Sequence, residues 1–295
     1  MRKISTPLIA IAVAFSLVAA CGGPEEKKAN FYGKAKELFD RGDLVKARLE
    51  VKNAIKIDPE FAEGYSLLGQ IAMQARDYRE AFNAFGKAVE LNPDLLPAQI
   101  ELGRLLIVSG APDKAMGKAD FVLAKKPANT EALMLKGSVF LIKKDLDAAA
   151  EIFEGLLQKG VRKPKVYLAL ATAQSQANNL PGAEKTLLEG AAVNKDSVAL
   201  QMGLAKLYSD TKQLEKAQSA IRKVIELQPK QPAHKFNLAS LLWDDGRQAA
   251  AIDMVADLLA KEPANEEVRE AAAGFYLSKN QLFEAARVLE QLVFG

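Results

Sequence analysis

The chain has 295 residues, 49% of them hydrophobic and 26% charged, a balance that excludes disorder, a collagen-like fold and a polytopic membrane protein. Lys+Arg 40 against Asp+Glu 37 gives a net charge of +3, without the basic excess or basic stripe of a nucleic-acid binder. One Cys and one His exclude a disulfide framework and a Cys/His metal site and leave little for nucleophile chemistry. At about 150 residues per domain, the length allows two ordinary domains or one long array of repeated units.

In chain order, Arg2 and Lys3 come first, followed by an apolar run over residues 8–18. That run is too short to span a bilayer comfortably and has the length of a signal-peptide core, so residues 1–20 are expected to be removed and to take no part in the fold. Without Arg2 and Lys3 the balance is 38 basic against 37 acidic residues. The run ends Leu17-Val18-Ala19-Ala20-Cys21, which resembles the bacterial lipobox at every position. The resemblance implies cleavage before Cys21, acylation of that cysteine with palmitate-like chains, and a membrane-anchored mature protein. Residues 21–27 then read as the lipidated Cys and a short charged tether, about 20 Å in full extension. Gly22 stands where an Asp would imply inner-membrane retention, so the outer membrane is favoured over the inner one.

Beyond the tether the sequence repeats itself. Ala47, Ala81, Ala115, Ala149, Ala183, Ala217, Ala251 and Ala285 are spaced by 34 residues without a slip, and Pro59, Pro93, Pro127, Pro229 and Pro263 keep the same interval. Units starting at Lys28, Ala62, Leu96, Thr130, Pro164, Val198, Pro232 and Glu266 place the alanines at position 20 and the prolines at position 32. Position 8 is small throughout, as Ala35, Gly69, Gly103, Gly137, Ala171, Ala205, Ala239 and Ala273, which lets two antiparallel helices approach closely while large apolar residues fill the space around them. Proline at position 32 ends the second helix of each unit.

The pattern resembles the tetratricopeptide repeat over essentially the whole array, most clearly in the second unit, with Tyr65, Leu68 and Gly69 on the first helix, Ala81, Phe85 and Ala88 on the second, and Pro93 at the end. The resemblance implies an all-α, right-handed superhelical solenoid of about eight helix-turn-helix repeats over residues 28–295. The repeat is interrupted mildly: position 32 is Val161 in the fourth unit and Lys195 in the fifth, and Leu180-Pro181 falls at the fifth inter-helix turn. These junctions are expected to be slightly re-angled. Eight units of 34 would end four residues beyond Gly295. Phe283, Leu289, Leu292, Val293 and Phe294 are then expected to be partly exposed, either because the array is truncated, the reading slightly favoured, or because that end meets a partner.

In the tetratricopeptide family, positions 2, 5, 9, 12 and 13 of the first helix face a concave groove, so the resemblance assigns peptide binding to that face. Tyr32, Phe39, Ile100, Ile107, Val108, Met134, Leu141, Ile142, Met202, Phe236 and Trp243 occupy such positions, and the third and fourth units together form an apolar strip. Position 9 adds Lys36, Arg104 and Lys206, which suit carboxylates on a ligand. The competing reading is that positions 5 and 12 pack against neighbouring first helices. The Lys/Asn clamp by which some co-chaperones of this family hold a C-terminal carboxylate is absent.

Enzymatic readings fail on inventory. The sequence has no Walker-type phosphate loop, no Gly-x-Gly-x-x-Gly, no His-Glu-x-x-His and no Cys-x-x-Cys. His234 has no second His beside it, and Asp244 and Asp245 diverge by about 100° on a helix. The expectation is a non-enzyme with no catalytic residue, cofactor, metal, nucleic acid or small-molecule substrate. Its partners would be proteins, through the concave surface, and the membrane, through the lipid. The form most resembles tetratricopeptide lipoproteins of exopolysaccharide and exosortase (PEP-CTERM) systems, periplasm-facing scaffolds for an envelope assembly or secretion machine. Pilotin-like or outer-membrane assembly lipoproteins of the type IV pilus or secretin, and adaptors that recruit envelope hydrolases, are the alternatives.

Overall fold

A computed structural model describes residues 23–293, with side chains to Glu290; the expected signal peptide over residues 1–20, Cys21, and the side chains of Leu292, Val293 and Phe294 lie outside what is described. Among the described residues there are sixteen α-helices and no strand. They run α1 (Pro24–Asp40), α2 (Leu44–Ile57), α3 (Ala62–Gln74), α4 (Tyr78–Leu91), α5 (Leu96–Val108), α6 (Pro112–Lys125), α7 (Thr130–Lys143) and α8 (Leu146–Gln158). The order continues with α9 (Pro164–Gln176), α10 (Leu180–Val193), α11 (Val198–Asp210), α12 (Leu214–Leu227), α13 (Pro232–Asp244), α14 (Gln248–Lys261), α15 (Glu266–Ser278) and α16 (Leu282–Val293). They divide into two compact units between Val139 and Phe140, and none of the described helices is long and apolar enough to cross a membrane.

Each pair is built the same way. All eight position-20 alanines are buried, from Ala47 to Ala285, where a larger side chain would hold the paired helices apart. The two helices of a pair are joined by a turn whose position 15 has positive φ in every repeat: Gly42, Arg76, Gly110, Lys144, Asn178, Lys212, Gly246 and Asn280. That residue's N–H and the next bond back into the last turn of the first helix, as in Asp77 N to Ala72 O, 2.8 Å, and Gly110 N to Ile107 O, 3.0 Å. This closes otherwise orphaned carbonyls by a left-handed cap. Asp43, Asp77, Asp145 and Asn179 then cap the second helix, accepting from the backbone N–H of Lys46, Glu80, Ala148 and Gly182. Glycine and asparagine adopt positive φ readily; Arg76, Lys144 and Lys212 do so because the bonds on either side fix the turn.

The two interrupted junctions have local explanations. After α8, Gly160 takes φ 81° and the Val161 N–H reaches Leu156 O at 3.0 Å, so a glycine cap does what proline does elsewhere. After α10, the Asn194 side-chain amide donates to Gly190 O at 3.0 Å. Pro181 sits in the first turn of α10, where its missing N–H costs nothing.

One expectation needs correction. Residues 24–27 are the first turn of α1, with Lys27 N bonded to Gly23 O at 3.0 Å. Pro24 at the helix start and Glu25 and Glu26 in the first turn suit the positive end of the helix dipole. Lys28 locks that turn by pairing with Glu25 and Asp58, both at 2.7 Å. Four residues expected to lie outside the fold, 24–27, therefore belong to its first helix.

Buried apolar side chains form the cores of both units. In the first, Val51, Leu67, Leu68 and Ile71 make one cluster and Phe85, Leu102, Leu105 and Val139 another. In the second, one cluster runs from Tyr167 to Val288. A polar staple joins α10, α11 and α12: the Tyr208 hydroxyl donates to Glu184 Oε1 at 2.9 Å, and Lys216 donates to the same oxygen at 3.0 Å. Lys216 and then Tyr208 hold the Glu184 carboxyl below its ordinary value. Burial, followed by the bond to Glu184, pushes Tyr208 up to about 12.

The signs of these two shifts differ in consequence. A carboxyl depressed in the folded state stabilises above its unfolded value and loses that contribution as pH falls through the folded value; a phenol raised to about 12 loses its contribution as pH rises from about 10 to about 12. Chemical denaturation across pH is expected to show both limbs in the wild type. Tyr208→Phe should abolish the alkaline loss assigned to this staple and weaken the acid one, and an unchanged alkaline limb would contradict the assignment.

Candidate peptide-binding groove

In the second unit, the first helices of adjacent repeats, α9 and α11, stand beside each other with α10 behind them. They enclose a groove of about 500 Å³. Its apolar lining is the half-buried Leu168 of α9 and Leu180 of α10, above the core residues Leu187 of α10 and Leu207 of α11. Gly203 makes this possible: a Cβ there would sit 2.8 Å from Leu168 Cδ2 and 3.1 Å from Leu187 Cδ2. The missing side chain lets the leucines of two helices converge under α11.

The rim is polar and short-chained. Thr172, Ser175 and Gln176 line one edge and Lys206 and Asp210 the other. The Thr172 hydroxyl donates to Leu168 O at 2.7 Å and retains its lone pairs for a ligand donor. Gln176 accepts from Lys144 at 3.0 Å through its carbonyl, which leaves its amide hydrogens directed elsewhere. Lys206 Nζ pairs with Asp210 at 2.8 Å, so the rim carries no net charge. Apolar floor, neutral polar edge and open ends suit an extended or helical segment of a protein better than a charged small molecule.

The residues singled out from sequence fall into three groups. Ile100 at 6% exposure, Met134 at 8% and Phe236 at 6% are buried in the core; Ile100 packs with Leu96, Val122 and Ala132. Tyr32, Phe39, Ile107, Leu141, Met202 and Trp243 are half-buried. Tyr32 packs edge-on to Phe61 with centroids 4.9 Å apart and Trp243 edge-on to Phe275 at 5.9 Å, so both aromatics are engaged within the protein. Val108 at 80% and Ile142 at 47% are open to solvent, in the first and second units respectively.

The position-9 cations have partners within the protein. Arg104 already holds Glu101, at 2.6 Å, and Glu131, and Lys206 holds Asp210. Lys36 lies over the Tyr32 ring, 5.9 Å from its centroid. Of the groove found here, the sequence reading assigns Lys206 and puts Leu168 and Ser175 at groove-facing positions 5 and 12. It does not name Thr172 and Gln176, at groove-facing positions 9 and 13 of the same repeat, or Leu180 and Leu187 of the second helix; the available signal for these was a glycine at position 6 of one repeat after a leucine at position 5 of the preceding one. Among the described residues no group of three or more His, Cys, Asp or Glu side chains is placed to hold a metal ion.

Comparison with known proteins agrees with this architecture. Residues 28–163 match the family model described as the cytochrome c-type biogenesis protein H TPR domain, and residues 203–267 match a tetratricopeptide repeat model. Among curated relatives, the human protein O-mannosyl-transferase TMTC3 is 29% identical over 148 residues, 50% of this chain and 16% of that protein. The chain spans less than half the length of the curated relatives it matches. Among solved structures, a tetratricopeptide repeat protein from Parabacteroides merdae aligns with a TM-score of 0.64 at 18% identity, covering 88% of this chain and 99% of the other. PilW, a type IV pilus biogenesis factor, aligns with a TM-score of 0.52 at 18% identity, covering 82% and 97%. Proteins of this architecture are generally non-catalytic scaffolds for protein–protein interaction. The chain carries tetratricopeptide-repeat domains, and its fold is the helix-turn-helix solenoid of tetratricopeptide-repeat proteins.

Proposed function

We propose that the chain is a lipid-anchored, periplasm-facing scaffold that holds an apolar segment of a partner protein in the groove between α9 and α11, as part of a bacterial envelope assembly or secretion machine. The observation that carries the reading is the groove itself, with Leu168 and Leu187 converging at a side-chain-free Gly203 beneath a polar rim of no net charge. The lipobox-like 17–21 segment supports the anchor, and Gly22 after it supports the outer-membrane placement.

Exopolysaccharide machinery is the first assignment, on the lipobox-Gly-Gly start and the long array. The likeness to PilW favours a pilotin-like role in pilus biogenesis as the second. The family description matched by residues 28–163, a biogenesis protein's domain, suits an assembly role in either case. An adaptor that recruits envelope hydrolases remains the third reading.

The test uses two variants of the full chain made in its own cell. Cys21→Ser should abolish incorporation of labelled palmitate. Thr172→Trp, at an exposed position on the groove edge, should keep the helical circular dichroism and lower co-purification of the partner at least about tenfold, as loss of a central contact of about 1.4 kcal/mol or more requires. Loss of polysaccharide secretion in the second variant supports the first assignment, loss of pili the second and altered cell-wall turnover the third. Undiminished co-purification would remove the groove from the reading.

A further inference from the structure

The first unit presents a second surface, on the side of α2 turned away from its core. Val45 is 83% exposed and Leu49 61%, one helical turn apart, and Lys52 and Lys56 continue the same stripe along the helix. Over its length α2 carries Lys46, Arg48, Lys52 and Lys56 against one acidic residue, Glu50. The Lys46 and Lys52 side chains remain 71% and 52% exposed. Beside it α4 adds Tyr78 and Phe82, both exposed. Lys52 and Arg48 tie the two helices together through Glu80, at 2.7 and 3.2 Å.

We propose that this face of α2 and α4 rests on the surface of an anionic phospholipid bilayer. The inference depends on the lipid-anchor reading for its geometry: α1 begins at Pro24, three residues after Cys21, so acyl chains there would hold the helix start within about 11 Å of the headgroups. A tether that short keeps the first hairpin at the interface, and a hairpin lying along it meets the bilayer with whichever face carries apolar side chains flanked by cations. Val45 and Leu49 would enter the headgroup region, and each lysine near it would strengthen attachment by about fivefold. The Lys46–Asp43 pair, whose ammonium is 71% exposed, costs little to exchange for a lipid phosphate.

The experiment places an environment-sensitive fluorophore at Leu49→Cys in the full, acylated protein, with Lys223→Cys on α12 as control. The protein is reconstituted in phosphatidylcholine vesicles with and without 30% phosphatidylglycerol, a fraction of the lipids bearing a shallow nitroxide quencher. The expected result is blue-shifted emission and strong quenching at 49 and not at 223, greater with phosphatidylglycerol and reduced by 0.5 M salt. Equal response at the two sites, or none at 49, overturns the proposal. Mass analysis of the N-terminal peptide reports acylation separately. If Cys21 carries no lipid, the anchor reading fails, and co-sedimentation of the unacylated chain with the same vesicles still decides on the face: binding lost at least tenfold in Val45→Asp/Leu49→Asp upholds it, and absence of binding overturns it.

Discussion

Phe85→Ala is expected to destabilise the second and third repeats by about 3–5 kcal/mol, the cost of removing a fully buried aromatic ring whose site cannot collapse. Phe85 has no exposed surface and packs with Ala72, Ala81, Ala88 and Leu102. The ring also occupies the space a side chain at position 69 would need: a Cβ on Gly69 would lie 2.8 Å from three of its carbons. With glycine at 69, no side chain on the facing helix can turn into the space the ring leaves, and the cavity has little means of closing. Because stability in a solenoid is a sum of repeat and neighbour contributions, the loss should be local. Hydrogen exchange should show α3, α4 and α5 deprotected while α11 to α14 keep their protection; uniform deprotection would contradict this picture.

Arg247→Met is expected to cost more than Gln218→Met, although Gln218 is the more buried of the two. Gln218 is 1% exposed, and both ends of its amide are used: the nitrogen donates to Asp245 at 3.1 Å and the oxygen accepts from Arg247. Removing the guanidinium leaves a buried carbonyl with no donor, worth about 1–3 kcal/mol. Replacing Gln218 by the similarly sized Met removes that buried polar group and leaves Asp245 and Arg247 paired with each other at 2.7 Å. Denaturation midpoints of the two variants and their double mutant would measure the asymmetry. Equal losses would show that the amide is not the group at stake.

The repeat was legible in sequence because its strictest positions are those where two helix backbones touch. Only a small residue fits at positions 8 and 20, so Ala47 through Ala285 record the geometry directly. The turn between helices was not, because its positive φ at position 15 is imposed by the hydrogen bonds around it; Arg76, Lys144 and Lys212 adopt it without a glycine to announce it. The start of α1 was placed four residues late because the alanine period measures paired helices, and residues 24–27 precede the first pairing. Fold class therefore followed from the periodicity together with the resemblance to the tetratricopeptide repeat that it carries.

The binding surface followed only in part. An apolar side chain at an inner position serves equally as core or as ligand contact, and the neighbouring helix decides which. Ile100, Met134 and Phe236 are covered by theirs. Leu168 is not, because the residue facing it is Gly203. Leu180 and Leu187 reach the same groove from a second helix, a contribution that a position-by-position reading of first helices does not contain. Arg104 and Lys206 read in sequence as suited to a ligand's carboxylates, because the partners they have in the protein stand at other positions, on the next repeat's first helix for Glu131 and one turn along for Asp210.

The central claim is that the groove between α9 and α11 holds a segment of a partner protein. It is tested most directly by photo-crosslinking in living cells, with a benzophenone amino acid placed in turn at Thr172, at Lys206 and, as control, at Lys223. The expected result is one discrete adduct from both groove positions and none from the control, with mass spectrometry locating the crosslink in an apolar stretch of one partner. Adducts of equal yield from Lys223, or no adduct from Thr172 and Lys206, would contradict the claim.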